Sequence, residues 1–295
     1  MKNNQALRGA LLTLLGGMLW GFSGTCGQYL LQVKGFTSEY LVPIRLLGGG
    51  TLLLVLCLLK KDERTFAVLK QDTKGILVFA LLGMAMCQYT YYSAIDASNA
   101  GTATVLQYTS PALILLWTSL RSKRVPRPIE FVCIALALGG TWLLATHGRP
   151  GSMALSGGAL FWGLLSALAL AISTVQPAKL LARYGSTIVT LWGMLLGGVM
   201  LFVLFRWWSI SVQIDAVSLM VMIVVLITGT LAYVVYLEGV RCVGAKKGSL
   251  YASVEPVSAA VFSAALMGAA FEAMDILGFA CILSTVFLLA LDKKD

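Results

Sequence analysis

The residues best able to do chemistry in this chain are one isolated carboxylate and the proline behind it. From Gly248 to Phe271 the sequence runs 24 residues with a single charge, Glu255, followed directly by Pro256. A carboxylate in the middle of an apolar span costs about 2.5 to 3.5 kcal/mol on insertion scales. Pro256 withholds one backbone donor and pushes the residue before it out of helical geometry, so the helix is predicted to bend or loosen beside the charge. Such a pair calls for a polar cavity. In it Glu255 would bind a proton in exchange for substrate or pair with a substrate amine. A structural role, accepting from donors freed around Pro256 or balancing a buried cation, fits the same residue. The run from Ala97 to Leu120 carries Pro111 in the matching place, after Thr109 and Ser110 instead of Val254 and Glu255.

Polar and aromatic side chains gather around these two prolines. In Cys87-Gln88-Tyr89-Thr90-Tyr91-Tyr92, Gln88 and Tyr92 stand at i and i+4 and share a helix face. Thr104, Gln107 and Tyr108 follow, and Tyr233, Tyr236, Tyr251, Ser253 and Trp20 complete the set. Each tyrosine alone reads as an interhelical hydrogen bond or an interfacial anchor. Together they predict an aromatic-walled cavity with few fixed charges, whose candidate lining is Trp20, Gln88, Tyr92, Gln107, Tyr108, Tyr233 and Tyr251 with Glu255. Arg45 is a further candidate: it would hold a substrate carboxylate, or form a fixed pair, or snorkel outward from near its helix end. Glu238, three residues before Arg241, reads as an ordinary surface pair.

The elements that must position these groups are membrane helices. The chain is 58% apolar and 12% charged, with a mean hydropathy of +0.85, far from a soluble composition. Ten apolar runs recur: Gly9 to Val33, Tyr40 to Leu59, Gly75 to Ile95, Ala97 to Leu120, Phe131 to Thr146, Pro150 to Ala178, Tyr184 to Phe205, Ala216 to Leu237, Gly248 to Phe271 and Ile276 to Leu291. Most approach the ~20 residues of a spanning helix; the fifth and the last must borrow flanking residues such as Ile129 and Ala273. The first is too long for the apolar core of a cleavable signal and is expected to remain as a helix. With the longest polar stretch running only from Lys60 to Lys74, little is left for a soluble domain.

The net charge of +9 is distributed lopsidedly. With a cytoplasmic amino terminus, 18 of the 22 lysines and arginines fall on that side, Lys34, Arg149 and Arg206 fall on the other, and Arg45 is inside a helix. The positive-inside rule then predicts both termini in the cytoplasm. The charge orients the chain and implies no nucleic-acid partner. Six cysteines scattered singly read as small buried hydrophobes, and the lone His147, in a predicted outer loop, makes a histidine metal site unexpected. A G-x-x-x-x-G-K-[ST] loop is absent from the sequence, so direct drive by ATP is not expected; neither cofactor nor metal is predicted.

Shifting the sequence against itself reveals a repeat. At an offset of 149, Gly9-Ala10-Leu11 falls on Gly158-Ala159-Leu160, Lys34 on Arg183, and Leu46-Leu47-Gly48-Gly49 on Leu195-Leu196-Gly197-Gly198. Later the offset shortens, with Gly83 matching Gly229 and Pro111 matching Pro256. Five runs per copy is odd, so the copies would cross the membrane in opposite senses. The expected fold is an all-α integral membrane protein of ten transmembrane helices in two inverted five-helix repeats, residues 1–147 and 148–295. In secondary transporters so built, the substrate site lies near the midplane between repeats. The glycines of the first and seventh runs predict close helix packing, inside one chain or in a homodimer.

On the five-plus-five repeat, on Arg45 early in the second run, and on the proline segments Thr109-Ser110-Pro111-Ala112 and Val254-Glu255-Pro256-Val257-Ser258-Ala259-Ala260, the chain resembles the drug/metabolite transporter superfamily, in the branch with two tandem EamA domains. The resemblance spans all ten runs. Many such proteins carry a Gly-Glu pair near the far end of each proline helix; here Lys123-Arg124 and Gly268-Ala269 stand there. The resemblance implies a secondary transporter in the cytoplasmic membrane of a bacterium, exporting small amphipathic metabolites such as amino acids by alternating access, with no enzymatic activity; coupling would be to protons or to the solute's own gradient. An exchanger of sugar phosphates or nucleotide sugars is the alternative within transport, and it would call for several cations facing the cavity where only Arg45 qualifies. A membrane-embedded enzyme or a non-transporting subunit is the alternative of another class; an intramembrane enzyme would call for paired carboxylates, clustered histidines or a serine and lysine inside the spans.

Overall fold

The computed structural model describes residues 2–121, 123, 125, 127–149, 154–243 and 251–291. The apolar runs become helices because in lipid a backbone must satisfy its polar groups within itself. They are α1 (Lys2–Gln32), α2 (Ser38–Leu59), α3 (Thr73–Ala97), α4 in two arms (Ala100–Gln107 and Ser110–Arg121), α5 (Pro128–Thr146), α6 (Gly157–Val175), α7 (Ser186–Leu204), α8 (Ala216–Val243), α9 (Val254–Met267) and α10 (Ala273–Leu291). The described residues contain no strand. Seven helices are long and apolar enough to cross a membrane: α1 from Leu7, α2, α3, α5, α6, α7, and α8 as far as Tyr236. Leu58, Phe131, Phe161 and Met220 are among many large apolar side chains left exposed on their flanks, a surface suited to acyl chains. The polar stretch after α2 folds into a 3₁₀ turn at Glu63–Phe66 and a short helix at Ala67–Gln71.

At both proline segments the sequence predicts a bent helix, and the structure shows a break. The first arm of α4 ends at Gln107 and the second begins at Ser110; α9 begins afresh at Val254, after Ser253. Pro111 and Pro256 thus occupy the second and third residues of new helices, where the missing N–H is not needed and the fixed φ is already helical. α9 then stops at Gly268, whose φ of +67° only glycine adopts freely. A third irregularity, the π-helical turn Phe79–Ala85 within α3, has no signature in the apolar pattern of that run.

Contacts between chain-distant residues show which helix ends lie together. At one end Lys34, after α1, meets Asp215, before α8, at 2.6 Å; the Trp207 indole, after α7, donates to the Tyr40 carbonyl of α2; and Ser156, before α6, reaches the Ala97 carbonyl closing α3. At the other end Arg183 and Tyr184, after α6, bind Asp72, before α3, and Arg8 of α1 approaches Glu238 of α8. α1 and α6 therefore traverse the bundle in opposite senses.

The packing has a matching symmetry. α1 lies against α8 and α9, and α6 against α3 and α4, while α2 pairs with α7, α4 with α9 and α5 with α10. Exchanging the halves maps this set of contacts onto itself. The two Leu-Leu-Gly-Gly segments meet at its centre: a Cβ on Gly198 would fall 3.0 Å from Leu47, and one on Gly50 would fall 2.8 Å from Leu195. Close helix approach in lipid depends on such small residues.

Candidate functional site

A cavity of about 440 Å³ opens where the two broken helices meet the bundle. Eight of the nine residues singled out from the sequence line it: Trp20, Arg45, Gln88, Tyr92, Gln107, Tyr108, Tyr233 and Glu255. Tyr251 is half-buried and is not among the lining residues. The cavity continues past Gly83 and Thr174 to Pro177 and Ser186, at the end of the bundle that holds Arg183 and Asp72. Toward the opposite end Gln28 ties three elements together, its Oε1 accepting from the Ala100 N–H of α4 at 3.0 Å and from the Ser263 hydroxyl of α9 at 2.8 Å. Gln32 continues this seal by donating to the carbonyls of Ile95, Asp96 and Ser98.

Glu255 stands in the first turn of α9, where the helix's free N–H groups and dipole favour negative charge. The Tyr108 hydroxyl lies 3.1 Å from its Oε2 and 3.1 Å from the Ala252 carbonyl, so one proton is shared between two acceptors. Ser110, the repeat partner of Glu255, also faces the cavity at the start of its own half-helix.

Arg45 does not snorkel. It is only 8% exposed and turns inward, with Nη1 donating to Gln88 Oε1 and the guanidinium 5.4 Å from the centre of the Tyr92 ring. Gln88 passes the contact on, its Nε2 lying 3.4 Å from the Tyr233 hydroxyl. Space for the guanidinium exists because residue 229 is glycine: a Cβ there would lie 2.7 Å from Nη2. The inward turn follows from position. Two turns into α2, the side chain is offered an acceptor by Gln88 and a π face by Tyr92.

The aromatic wall is mutually braced. Trp20 meets Tyr233 edge-on at 4.8 Å and Tyr236 at 5.2 Å, and the Tyr91 hydroxyl bonds Thr104 Oγ1 at 2.7 Å. Tyr91 was not singled out from the sequence, although it stands at i+3 from Gln88 and its spacing already placed it on that face. Cys87 also lines the cavity, 3.6 Å from Gln107 Nε2. Of the outlying charges, Glu238 lies 3.9 Å from Arg8, a partner on α1 that the sequence pairing with Arg241 did not anticipate; the Arg241 side chain is outside the described residues. His147 caps α5 and sits between Glu272, 3.2 Å from Nδ1, and Asp275, 3.0 Å from Nε2. Those carboxylates address opposite ring nitrogens, and no cluster suited to a metal ion occurs among the described residues.

Comparison with known proteins adds the decisive observation: the model of the EamA-like transporter family matches residues 7–146 and matches again over residues 157–291. The chain belongs to the EamA-like transporter family. An uncharacterized inner membrane transporter of Salmonella typhimurium strain LT2, YicL, is 36% identical over 290 residues, 97% of this chain and 96% of its own. The threonine/homoserine exporter RhtA of Salmonella typhimurium strain SL1344 is 31% identical over 133 residues, 45% of this chain and 42% of the exporter. A crystal structure of another protein superposes with a TM-score of 0.62 over 95% of this chain and 96% of that one at 18% identity, a likeness of fold alone. This EamA-like transporter, a multi-span membrane protein of the drug/metabolite transporter superfamily, thus draws its two broken helices one from each matched segment: α4 from the first and α9 from the second.

Proposed function

We propose that this EamA-like transporter exports small amphipathic metabolites, amino acids foremost, by alternating access around the cavity between its halves, with Glu255 as the group that binds the substrate amine or the coupling proton. The observation that carries the proposal is the convergence of two half-helix starts, Ser110 and Glu255, on one aromatic-walled cavity that is sealed at one end by Gln28 and open toward the other. Broken helices around a midplane site are the usual architecture of secondary transporters. The exchange symmetry of the packing and the opposed senses of α1 and α6 support two inverted five-helix repeats, residues 1–147 and 148–295, with α4, α9 and α10 as the three spans beyond the seven long ones. The end bearing Arg8, Lys60, Lys61, Arg64, Lys70, Lys74, Lys179 and Arg183 would face the cytoplasm, which makes the cavity inward-open and places both termini inside. Export is favoured by the likeness to proteins named as threonine/homoserine exporters.

The test is counterflow of radiolabelled amino acids in liposomes of reconstituted wild type and Glu255→Gln. We expect saturable counterflow by wild type, at least tenfold lower in the variant or stripped of its pH dependence. Counterflow by Glu255→Gln at the wild-type rate with an unaltered pH profile would remove Glu255 from the mechanism. Absence of counterflow in wild type across the amino acids would overturn the substrate assignment.

A further inference from the structure

Arg45 is a buried cation whose hydrogen bonding is incomplete. It is 92% withdrawn from solvent by its 8% exposure, yet no carboxylate among the described residues lies within ion-pairing distance. Among the described residues its one hydrogen-bond partner is the neutral amide of Gln88, and its buried Nε–H has no acceptor. A buried cation without an ion-pairing carboxylate is costly; the charge of Glu255 acts on it only from a distance, and because Arg45 lines the cavity a ligand could relieve that cost. The guanidinium is also held in place: the Tyr92 ring lies on one side at 5.4 Å, and the Nη2 and Nε edge packs against Gly229, where a Cβ would fall 2.7 and 3.1 Å from those atoms.

We infer that Arg45 is the receptor for a carboxylate on the transported molecule, and that this transporter selects solutes with a carboxylate over otherwise identical amines and amides. Guanidinium presents paired N–H donors that match a carboxylate's two oxygens. The charge count of the cavity favours a carboxylate over a phosphate ester: among the described residues Arg45 and Glu255 are the only fully charged types in its lining, so a zwitterion leaves the site balanced whereas a dianionic phosphate does not. Arg45 comes from the first half and Glu255 from the second, which suits a solute with opposite charges at one end and an apolar body for the Trp20, Tyr233 and Tyr236 wall. The inference rests on the cavity being the transport site.

The experiment compares thermal unfolding of the detergent-purified protein with phenylalanine, phenylalaninamide, 3-phenylpropionate and glycerol 3-phosphate, for wild type, Arg45→Gln and Arg45→Lys. Phenylalanine and 3-phenylpropionate are expected to raise the wild-type midpoint by about 3 °C at tenfold excess over Kd. Arg45→Gln should weaken both at least tenfold while leaving the amide's effect unchanged, and Arg45→Lys should retain part of the effect. Because the acid and amide are compared on wild type itself, the reading does not depend on the variants folding. Equal shifts with amide and acid, no shift with either carboxylate, a larger shift with glycerol 3-phosphate, or undiminished acid binding by Arg45→Gln would each overturn the inference. Counterflow separates its failure from that of the transport reading: transport of amines alone sinks the carboxylate receptor and keeps the transporter, whereas carboxylate binding without any flux sinks the transport reading and the inference with it.

Discussion

Gly21 of α1 is the point where the packing of the two halves sets the position of Glu255, and Gly21→Ala should measure how rigidly. A Cβ at Gly21 would lie 2.3 Å from Ser258 Oγ, 2.7 Å from the Ala259 backbone nitrogen and 3.0 Å from the Glu255 carbonyl oxygen. Comfortable contact begins at about 3.5 Å, so α1 and α9 must part by about 1 Å. Rotating Ser258 away does not suffice, because its hydroxyl is engaged with the Glu255 carbonyl at 2.9 Å and the Ala259 nitrogen is backbone. Overpacking of this kind costs about 1 to 3 kcal/mol, offset by the 0.5 to 1 kcal/mol that alanine gains over glycine in a helix (order of magnitude). Gly139 of α5 is the control, since a Cβ there meets nothing within 4 Å and Gly139→Ala keeps only the gain. At about 2 °C per kcal/mol for a chain of this size, Gly21→Ala should melt roughly 1 to 4 °C below wild type and Gly139→Ala about 1 to 2 °C above it. A thiol-reactive dye reads the transition, because Cys57, Cys87 and Cys133 are buried in the folded protein. Equal midpoints for the two variants would refute the close contact, as would full rescue of Gly21→Ala by Ser258→Gly, which leaves the backbone clash in place.

Three other outcomes follow from the same geometry. In intact cells, a membrane-impermeant maleimide should label Lys34→Cys from outside and Lys70→Cys only after lysis; the reverse pattern would invert the orientation. Gln28→Ala should destabilise the protein by about 1 to 3 kcal/mol, because it strands the Ala100 N–H and the Ser263 hydroxyl in a buried setting; a midpoint equal to wild type would show that water reaches them. The Lys34 ammonium, 2.6 Å away, and the Ser218 hydroxyl and N–H hold the Asp215 carboxyl well below the usual carboxylate range. Its contribution to stability is therefore complete above the unfolded value, near 3.9, and is lost as pH falls through the lower folded value. The difference in midpoint between wild type and Asp215→Asn should stay constant from about pH 5 to 8 and close only below about pH 4; a gap that narrows near neutrality would contradict the pairing.

What could be read from the sequence is what lipid makes explicit. A bilayer turns helices into apolar runs and orientation into a charge asymmetry, so the spans, the repeat and the two proline segments stood out before any coordinates. The cavity wall was largely legible too, because Gln88 and Tyr92 share a face by spacing alone. Three-dimensional choices between local alternatives were not. A proline in an apolar run permits a kink or a fresh start, and the arms starting at Ser110 and Val254 pack against α6 and α1, contacts with no local signature. An arginine two turns into a helix can reach outward or inward, and the acceptor that turned Arg45 inward lies on another helix, 43 residues away. His147 finds Glu272 and Asp275 across 125 and 128 residues of chain, a partnership with no local signature. Tyr251 illustrates the opposite error: proximity to Pro256 in sequence did not carry its side chain into the cavity lining.

Where the two copies agree and where they part is the most informative contrast. The Leu-Leu-Gly-Gly segments and the prolines occur twice, and the structure uses them twice, at symmetric contacts and at symmetric helix starts. The charges occur once: Glu255 falls on Ser110, and Arg45 falls on Met194, which is buried at 2% exposure. A symmetric scaffold is what two interchangeable conformations need, since each half must be able to take the other's role. On the alternating-access reading proposed above, an asymmetric pair of charges, one per half, would give that scaffold a ligand-sensitive link, because a solute touching both Arg45 and Glu255 would hold the halves together whichever end is open. On this argument Ser110→Glu, which restores charge symmetry at the helix starts, should fold on the same scaffold yet lose selectivity for zwitterions over amines. Unchanged discrimination between phenylalanine and phenylalaninamide in that variant would show that the single carboxylate is not what sets the balance.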